Sequence, residues 1–429
     1  MSQTLLAMAL APILGLFITS IGNGLISSLT SLRLDAAGES ATVVGIVSSA
    51  YFIGLTLGAF FNDRLIIRTG HIRAYSSFAS LTAATLLLQA LITAPWGWFL
   101  LRLINGWATV GVFLVVESWL LLAADKSMRG RLLALYMIAY YGSTMIGQAE
   151  LGYVASLGGM QPFMIAALLA SLSVLPIVII PRVSPLMEPA EPVLPHRLLK
   201  MTPTGFIGSM GSGVALAAVY TLLPLYLQRI GLNVDRVGHM MACVIFGAML
   251  LQYPVGRWSD RHDRQSVLIA LCAFCTLLSA AMLLVPLSSP ALMGGLFFLF
   301  GGGVFALYPV SVSHAADRAS ASVLVRIIQG LLLINSLGSA ISPLLISPVM
   351  THVGANGLFW AFAVLHVMLL VFFIWRRAAR PAPAPIAPFE PATQMSPIGA
   401  ELRVTDDMVQ GALNHEAHGD TVGMPSSEP

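Results

Sequence analysis

Twelve stretches of roughly 20 residues in this 429-residue chain are almost free of charge, and a helix needs about 20 apolar residues to cross a ~30 Å hydrocarbon core. They run approximately 5 to 29, 41 to 61, 74 to 93, 97 to 122, 131 to 154, 161 to 180, 204 to 228, 237 to 256, 266 to 286, 290 to 314, 323 to 349 and 356 to 375. Hydrocarbon offers no partner to a bare N–H or C=O, so each run is expected to be a closed helix. Composition agrees: 57% of residues are hydrophobic and 10% are Asp, Glu, Lys or Arg, where a soluble domain carries about a quarter charged. The first run has no basic n-region and is longer than a signal-peptide core, so it is read as a retained span. An all-α integral membrane protein with twelve transmembrane helices follows.

Charge is distributed unevenly. Residues 381 to 429 hold one Arg and seven acids, which leaves 21 basic against 12 acidic residues before them. Of those basic residues sixteen fall in the connections on one side of the expected membrane and three, Arg33, Arg229 and Arg236, on the other. The excess marks the cytoplasmic side, so both termini are expected in the cytoplasm, in a bacterial inner membrane. A Pro-rich connector, "PRVSPLMEPAEPVLPHRLLK", splits the spans six and six. The expected organisation is a six-helix bundle at 1–180, a linker at 181–203, a second six-helix bundle at 204–378, and a disordered acidic tail at 379–429. Shifting the second half by 197 residues lays Asp260-Arg261 on Asp63-Arg64, Gly303 on Gly106, His314 on Glu117 and Arg326 on Arg129. That register implies two pseudo-symmetric bundles, the arrangement of transporters whose halves rock about a midplane site.

Two short segments concentrate charge. "GRWSDRHDRQ" (256 to 265) sets Arg257, Asp260, Arg261, His262, Asp263 and Arg264 between spans eight and nine, and "FFNDRLIIRTGHIRAY" (60 to 75) is its counterpart between spans two and three. Read as turns, they are topology signals or a state-dependent latch. In the latch reading Asp63 meets the N-terminus of span eleven, capped by Ser320 or Ser322, and Asp260 meets the start of span five near Lys126 and Arg129. Arg64, Arg73, Gly256, Arg261, Arg264, Asp317 and Arg326 complete that expected gate.

Gly256-x-x-x-Asp260-Arg261-x-x-Arg264 resembles the cytoplasmic loop signature of the major facilitator superfamily, Gly-x-x-x-Asp-Arg-x-Gly-Arg-Arg, with Asp263 where the second Gly is usual. The first-half copy departs further: Gly58 precedes Asp63 by one residue too many and Gly70 comes late. Arg102-Leu-Ile-Asn105-Gly106 is similar to the superfamily's Arg-x-x-Gln-Gly element, whose Arg is implicated in proton handling in proton-coupled members. "YYGSTMIGQAELG" lacks the Gly-Pro-rich signature of drug antiporters, while "GHIRAY", "ESWL" and "LYPVSVSHAAD" are similar to the YcaD-like branch of bacterial facilitators. The resemblance implies a fold of two six-helix bundles and transport by alternating access, and brings no firm substrate.

Ionisable residues within spans are costly and usually functional. Arg102 and Glu150 are expected at similar depth in spans four and five, where they can pair. Glu117 lies fifteen residues past Arg102, about 22 Å along the axis and about 60° around it, so both can line one cavity face. Glu117 is read as a proton carrier or a gate, with His314 in the equivalent place. Asn23, Asn105, Gln148, Tyr220, Tyr308, Gln329 and Asn335 offer hydrogen bonds to a polar or amphipathic solute, although each is also a candidate for interhelical bonding. Gly301-Gly302-Gly303 indicates close helix packing, and Pro224, Pro309 and Pro343 indicate kinks. No nucleotide loop, metal constellation or nucleophile-base-acid set is visible. The expected partners are therefore a small-molecule solute, protons and the lipid bilayer, with no nucleic acid, cofactor or metal, in a monomer that is not an enzyme. The alternative is a receptor or scaffold that keeps the fold without transport.

Overall fold

A computed structural model describes residues 3–123, 129–179, 195–284, 289–317, 319 and 323–379; the side chains of 3–9, 121–123, 129 and 130 are not described. Most of the expected linker and nearly all of the acidic tail lie outside the described residues, as do Lys126, Ser320, Ser322 and the side chain of Arg129.

The described residues form α1 (Gln3–Ala36), α2 (Ala41–Thr69), α3 (His71–Leu91), α4 (Pro95–Ala123), α5 (Arg129–Ala149), α6 (Leu151–Ser156), α7 (Gln161–Leu172), α8 (Val174–Val178), α9 (Pro195–Met201), α10 (Pro203–Arg229), α11 (Val234–Arg261), α12 (Arg264–Met282), α13 (Pro290–Ala316), α14 (Leu324–Val353) and α15 (Gly357–Ala379). The sixth span is broken into α7 and α8 at Ser173, and the fifth continues past Glu150 as α6. Counting each broken pair once and leaving aside the seven-residue α9, twelve units among the described residues alternate in direction. The start of α1 and the end of α15 then fall on one face, here the terminal face, opposite a distal face.

Among the described residues eleven helices are long and apolar enough to cross a membrane. The fifth span is the exception, because Tyr140, Tyr141, Ser143, Thr144 and Gln148 dilute it. Those five are buried in the protein interior, so lipid never meets them. The opposite pattern marks the perimeter, where Leu100, Ile138, Leu168, Leu277, Val364 and Met368 are exposed. Such a belt is tolerated when hydrocarbon is the solvent.

Helices α1 to α7 pack chiefly on one another, led by α2 on α4 and α1 on α5; α10 to α15 do the same, led by α11 on α13 and α10 on α14. The halves meet where α2 packs on α14, α5 on α11, and α1 on α10. Close approach there needs missing side chains: a Cβ on Gly45 would collide with Ser347 of α14, and one on Gly238 with the backbone of Gln148. Pro224, Pro309 and Pro343 lie inside unbroken helices.

The charged segments differ from their reading as turns. α2 continues to Thr69, so Asp63 and Arg64 are helical and the junction is the single Gly70, whose φ of 83° is the left-handed backbone that glycine allows. Gly256 to Arg261 are likewise the last turns of α11, leaving only His262 and Asp263 between helices. A helix emerging from the bilayer can continue once its side chains reach water, and these charges let it do so.

Candidate functional site

α4 carries Arg102 about two turns in from the distal face. The residue is 3% exposed, and its guanidinium carbon lies 4.4 Å from the centroid of the Tyr51 ring. Among the described residues Arg102 has no ion pair, and its Nε has no hydrogen bond. A desolvated cation–π contact contributes about 2 kcal/mol, while burying an ion costs several. The ring alone does not offset the burial.

Arg102 borders a cavity between the halves of about 30 Å³. Asn23 and Ser27 reach it from α1, Tyr51 and Phe52 from α2, Tyr140 and Thr144 from α5, and Tyr220 and Thr221 from α10. Small-ligand pockets span roughly 300–1,000 Å³ and one water needs about 10–15 Å³. In this state the cavity has room for water and not for a solute.

The distal side of the cavity is sealed by contacts that cross between halves. Arg229 donates to Asp35 Oδ1 through Nε at 3.0 Å and through its terminal nitrogen at 2.7 Å. Ser31 Oγ donates to the Thr221 carbonyl at 2.6 Å, and the hydroxyls of Thr42 and Thr351 are 3.0 Å apart. Deeper, Gln252 Nε2 donates to the Tyr141 hydroxyl at 3.2 Å, and Phe305 packs edge-on against both Tyr141 and Tyr220.

Only part of the expected pathway meets here. Asn23, Arg102 and Tyr220 line the cavity. Gln148 instead accepts from Ser28 and donates to the Gly24 carbonyl, tying α5 to α1. Asn105 donates to Thr85, and Asn335 to the Ser209 carbonyl, so both join helices. Two expectations are corrected. Glu150 does not pair with Arg102: it stands at the junction of α5 and α6, where helical hydrogen bonds run on through it, and its side chain is exposed rather than turned into the bundle. Glu117 does not share the cavity face: it is 1% exposed and accepts from the Tyr136 hydroxyl at 2.6 Å, nearer the terminal face. Tyr308, His314 and Gln329 are buried in the terminal-face halves of α13 and α14, outside the cavity lining.

Comparison with known proteins gives the arrangement its family. The model of the Major Facilitator Superfamily matches residues 13–334. The MFS-type transporter YcaD of Escherichia fergusonii is 31% identical over 376 residues, covering 87% of this chain and 96% of that one. The chain belongs to the major facilitator superfamily. Two solved MFS structures share the fold at low identity: the nucleoside transporter NupG, TM-score 0.74 and 16% identical over 86% of this chain and 98% of that one, and the D-xylose-proton symporter, TM-score 0.66 and 14% identical over 86% and 96%. The protein is a multi-pass membrane transporter of this family.

Within the MFS frame, the departures from the loop signature have a local explanation. Asp263, standing where the signature has Gly, caps α12 by accepting from the backbone of Gln265 and Ser266, and it also meets Arg377 at 3.4 Å. Arg264 is 1% exposed, with Nε 2.7 Å from Asp317 and a terminal nitrogen 3.8 Å from Asp260. Gly256 is buried, Arg261 exposed, and Arg326 half-buried in the first turn of α14 and engaged there. Across the face, Asp63 accepts from the backbone N–H of Arg64, and Arg64 and Arg73 are exposed. The expected contact of Asp63 with a Ser320 or Ser322 cap, and of Asp260 with Lys126 or Arg129, involves groups outside the described residues; Val323, in the capping position of α14, makes no side-chain cap.

Several cavity residues escaped the sequence reading: Ser27, Tyr51, Phe52, Tyr140, Thr144 and Thr221. The tandem Tyr140-Tyr141 in the least apolar span was the available signal. The others are residue types that any membrane helix carries.

Proposed function

We propose that the protein is a monomeric secondary active transporter of the bacterial inner membrane that moves a small solute by alternating access, coupled to protons, with both chain ends cytoplasmic. The observation that carries this reading is the cavity. Its walls come from both halves, it borders a buried cation, and among the described residues its distal side is crossed by hydrogen bonds, an ion pair and helix packing, all of them non-covalent. A neutral hydrogen bond contributes about 0.5–1.5 kcal/mol net and a partly exposed ion pair about 0–1. The polar bonds of the distal seal thus contribute a few kcal/mol, within the range that a ligand's preference for one state can supply. A cavity too small for a solute fits a state that holds none. The cytoplasmic assignment of the terminal face is supported by its excess of Arg and Lys.

We assign the coupling proton to Glu117, a carboxyl at depth in the bundle with a phenol donor beside it. His314 holds the matching place on α13.

The test uses Thr144→Cys, a cavity position, in a background with Cys243, Cys272 and Cys275 replaced. An impermeant thiol reagent should reach it from outside intact cells and from the opposite face in inverted vesicles. Labelling confined to one face under every condition would instead describe a static receptor. Orientation is checked in the same way: Ala37→Cys should label in intact cells, and Ser184→Cys only after permeabilisation. In Glu117→Gln the balance of two-sided labelling should lose its dependence on pH; a retained dependence moves the proton elsewhere.

A further inference from the structure

We propose that the solute is an organic monoanion, a carboxylate on an apolar or aromatic body, and that Arg102 holds its charge. This rests on the transport reading above and adds the chemistry of the cargo.

Arg102 is 97% removed from solvent and borders the cavity. Among the described residues it lies over the face of Tyr51, 4.4 Å from the ring centroid. An aromatic face can cover a guanidinium but cannot accept the N–H bonds that point outward in its plane, and those five donors match a carboxylate bidentately. Among the described residues no carboxylate pairs with Arg102, and its Nε makes no hydrogen bond. Beside it the Nδ2 of Asn23 also has no partner. Donors are therefore in excess where the solute would sit.

The lining sets the sign and size of the charge. Among the described residues it contains one Arg and no Lys, His, Asp or Glu. A cationic solute would meet like charge with nothing to neutralise it, and a neutral one would leave the buried guanidinium uncompensated. A phosphate monoester carries close to two charges at neutral pH, one more than the site can balance. A carboxylate carries one. Around the cation the walls are Tyr51, Phe52, Tyr140 and Tyr220, flat surfaces that stack on an unsaturated body and give it area to bury.

The experiment measures the affinity of the purified full-length protein for three carboxylates, butyrate, benzoate and 2-naphthoate, each beside its amide and its amine of matched shape, with phenyl phosphate as the phosphate arm. The expected result is that at least the aromatic carboxylates bind ten-fold or more tighter than their amides and amines, and that phenyl phosphate binds no better than benzoate. Arg102→Gln should abolish the preference, and Arg102→Lys should keep its sign at lower affinity because a point charge replaces a fork. Amines or amides binding as well as the acids, no carboxylate binding, or a preference that survives Arg102→Gln would overturn the proposal, and phenyl phosphate ahead of benzoate would reassign the site to phosphate. Should Arg102→Gln fail to fold, the wild-type ranking and Arg102→Lys decide it. Two-sided labelling of Thr144→Cys without ligand judges the transport reading separately, so a failed ranking beside successful labelling removes the cargo class alone.

Discussion

At the junction of α11 and α12, Arg264 is sealed inside the protein against Asp317 at 2.7 Å and Asp263 caps the following helix. At the junction of α2 and α3, Asp63 bonds to its neighbour's backbone, Arg64 and Arg73 face outward, and one left-handed glycine makes the turn. The two segments carry similar charge and occupy corresponding places in the two halves. One has been drawn into the packing, tying α12 to α13 and, through Asp263 and Arg377, to α15. The other leaves most of its charge at the surface. Similar sequence thus serves two physical ends: buried and paired, charge fixes helix ends to one another; exposed, it fixes which side of the membrane a loop occupies.

The largest expected effect comes from breaking the buried pair. Arg264→Ala removes the cation 2.7 Å from buried Asp317, and removing one partner of a buried pair costs about 3–5 kcal/mol. Unfolding of the purified protein in detergent should show it as a large loss of stability. Asp263→Ala removes a helix cap and should cost about 1 kcal/mol, read in the same assay. Asp63→Asn should stay within about 0.5 kcal/mol, as surface substitutions do. If Asp63→Asn matched Arg264→Ala, the contrast between the junctions would fail, and the first-half segment would hold a structural contact through groups outside the described residues.

Legibility from sequence followed the physics of each residue. The spans were readable because lipid demands long apolar runs, and even α5, the most polar, kept enough Leu, Ile and Met to be found. Helix continuation past the bilayer was not readable at Thr69, since nothing in "NDRLIIRT" distinguishes a solvated helix end from a turn. Within the cavity, Asn23, Arg102 and Tyr220 stood out as polar groups at depth. Gln148, Asn105 and Asn335 look the same in sequence, and only the fold reveals that their amides are taken up by neighbouring helices. Tyr51 and Tyr140 stayed hidden because an aromatic ring in a membrane helix is ordinary until a cation, as at Tyr51, or a cavity, as at Tyr140, is found against it. The Arg102–Glu150 pairing failed because counting residues along a span gives depth and not the direction a side chain faces: Glu150 is exposed, whereas Arg102 is buried.

The central claim is that the two halves rock about the Arg102 cavity, and paired distance measurements test it most directly. One pair of spin labels spans the distal face at Ala37 and Val353, and a second spans the terminal face at Arg68 and Arg261, all exposed positions. The account predicts two populations in lipid whose distances change in opposite senses, the distal pair lengthening as the terminal pair shortens, with the balance shifted by pH or by a bound carboxylate. A single distribution at both faces, unmoved by either, would contradict it.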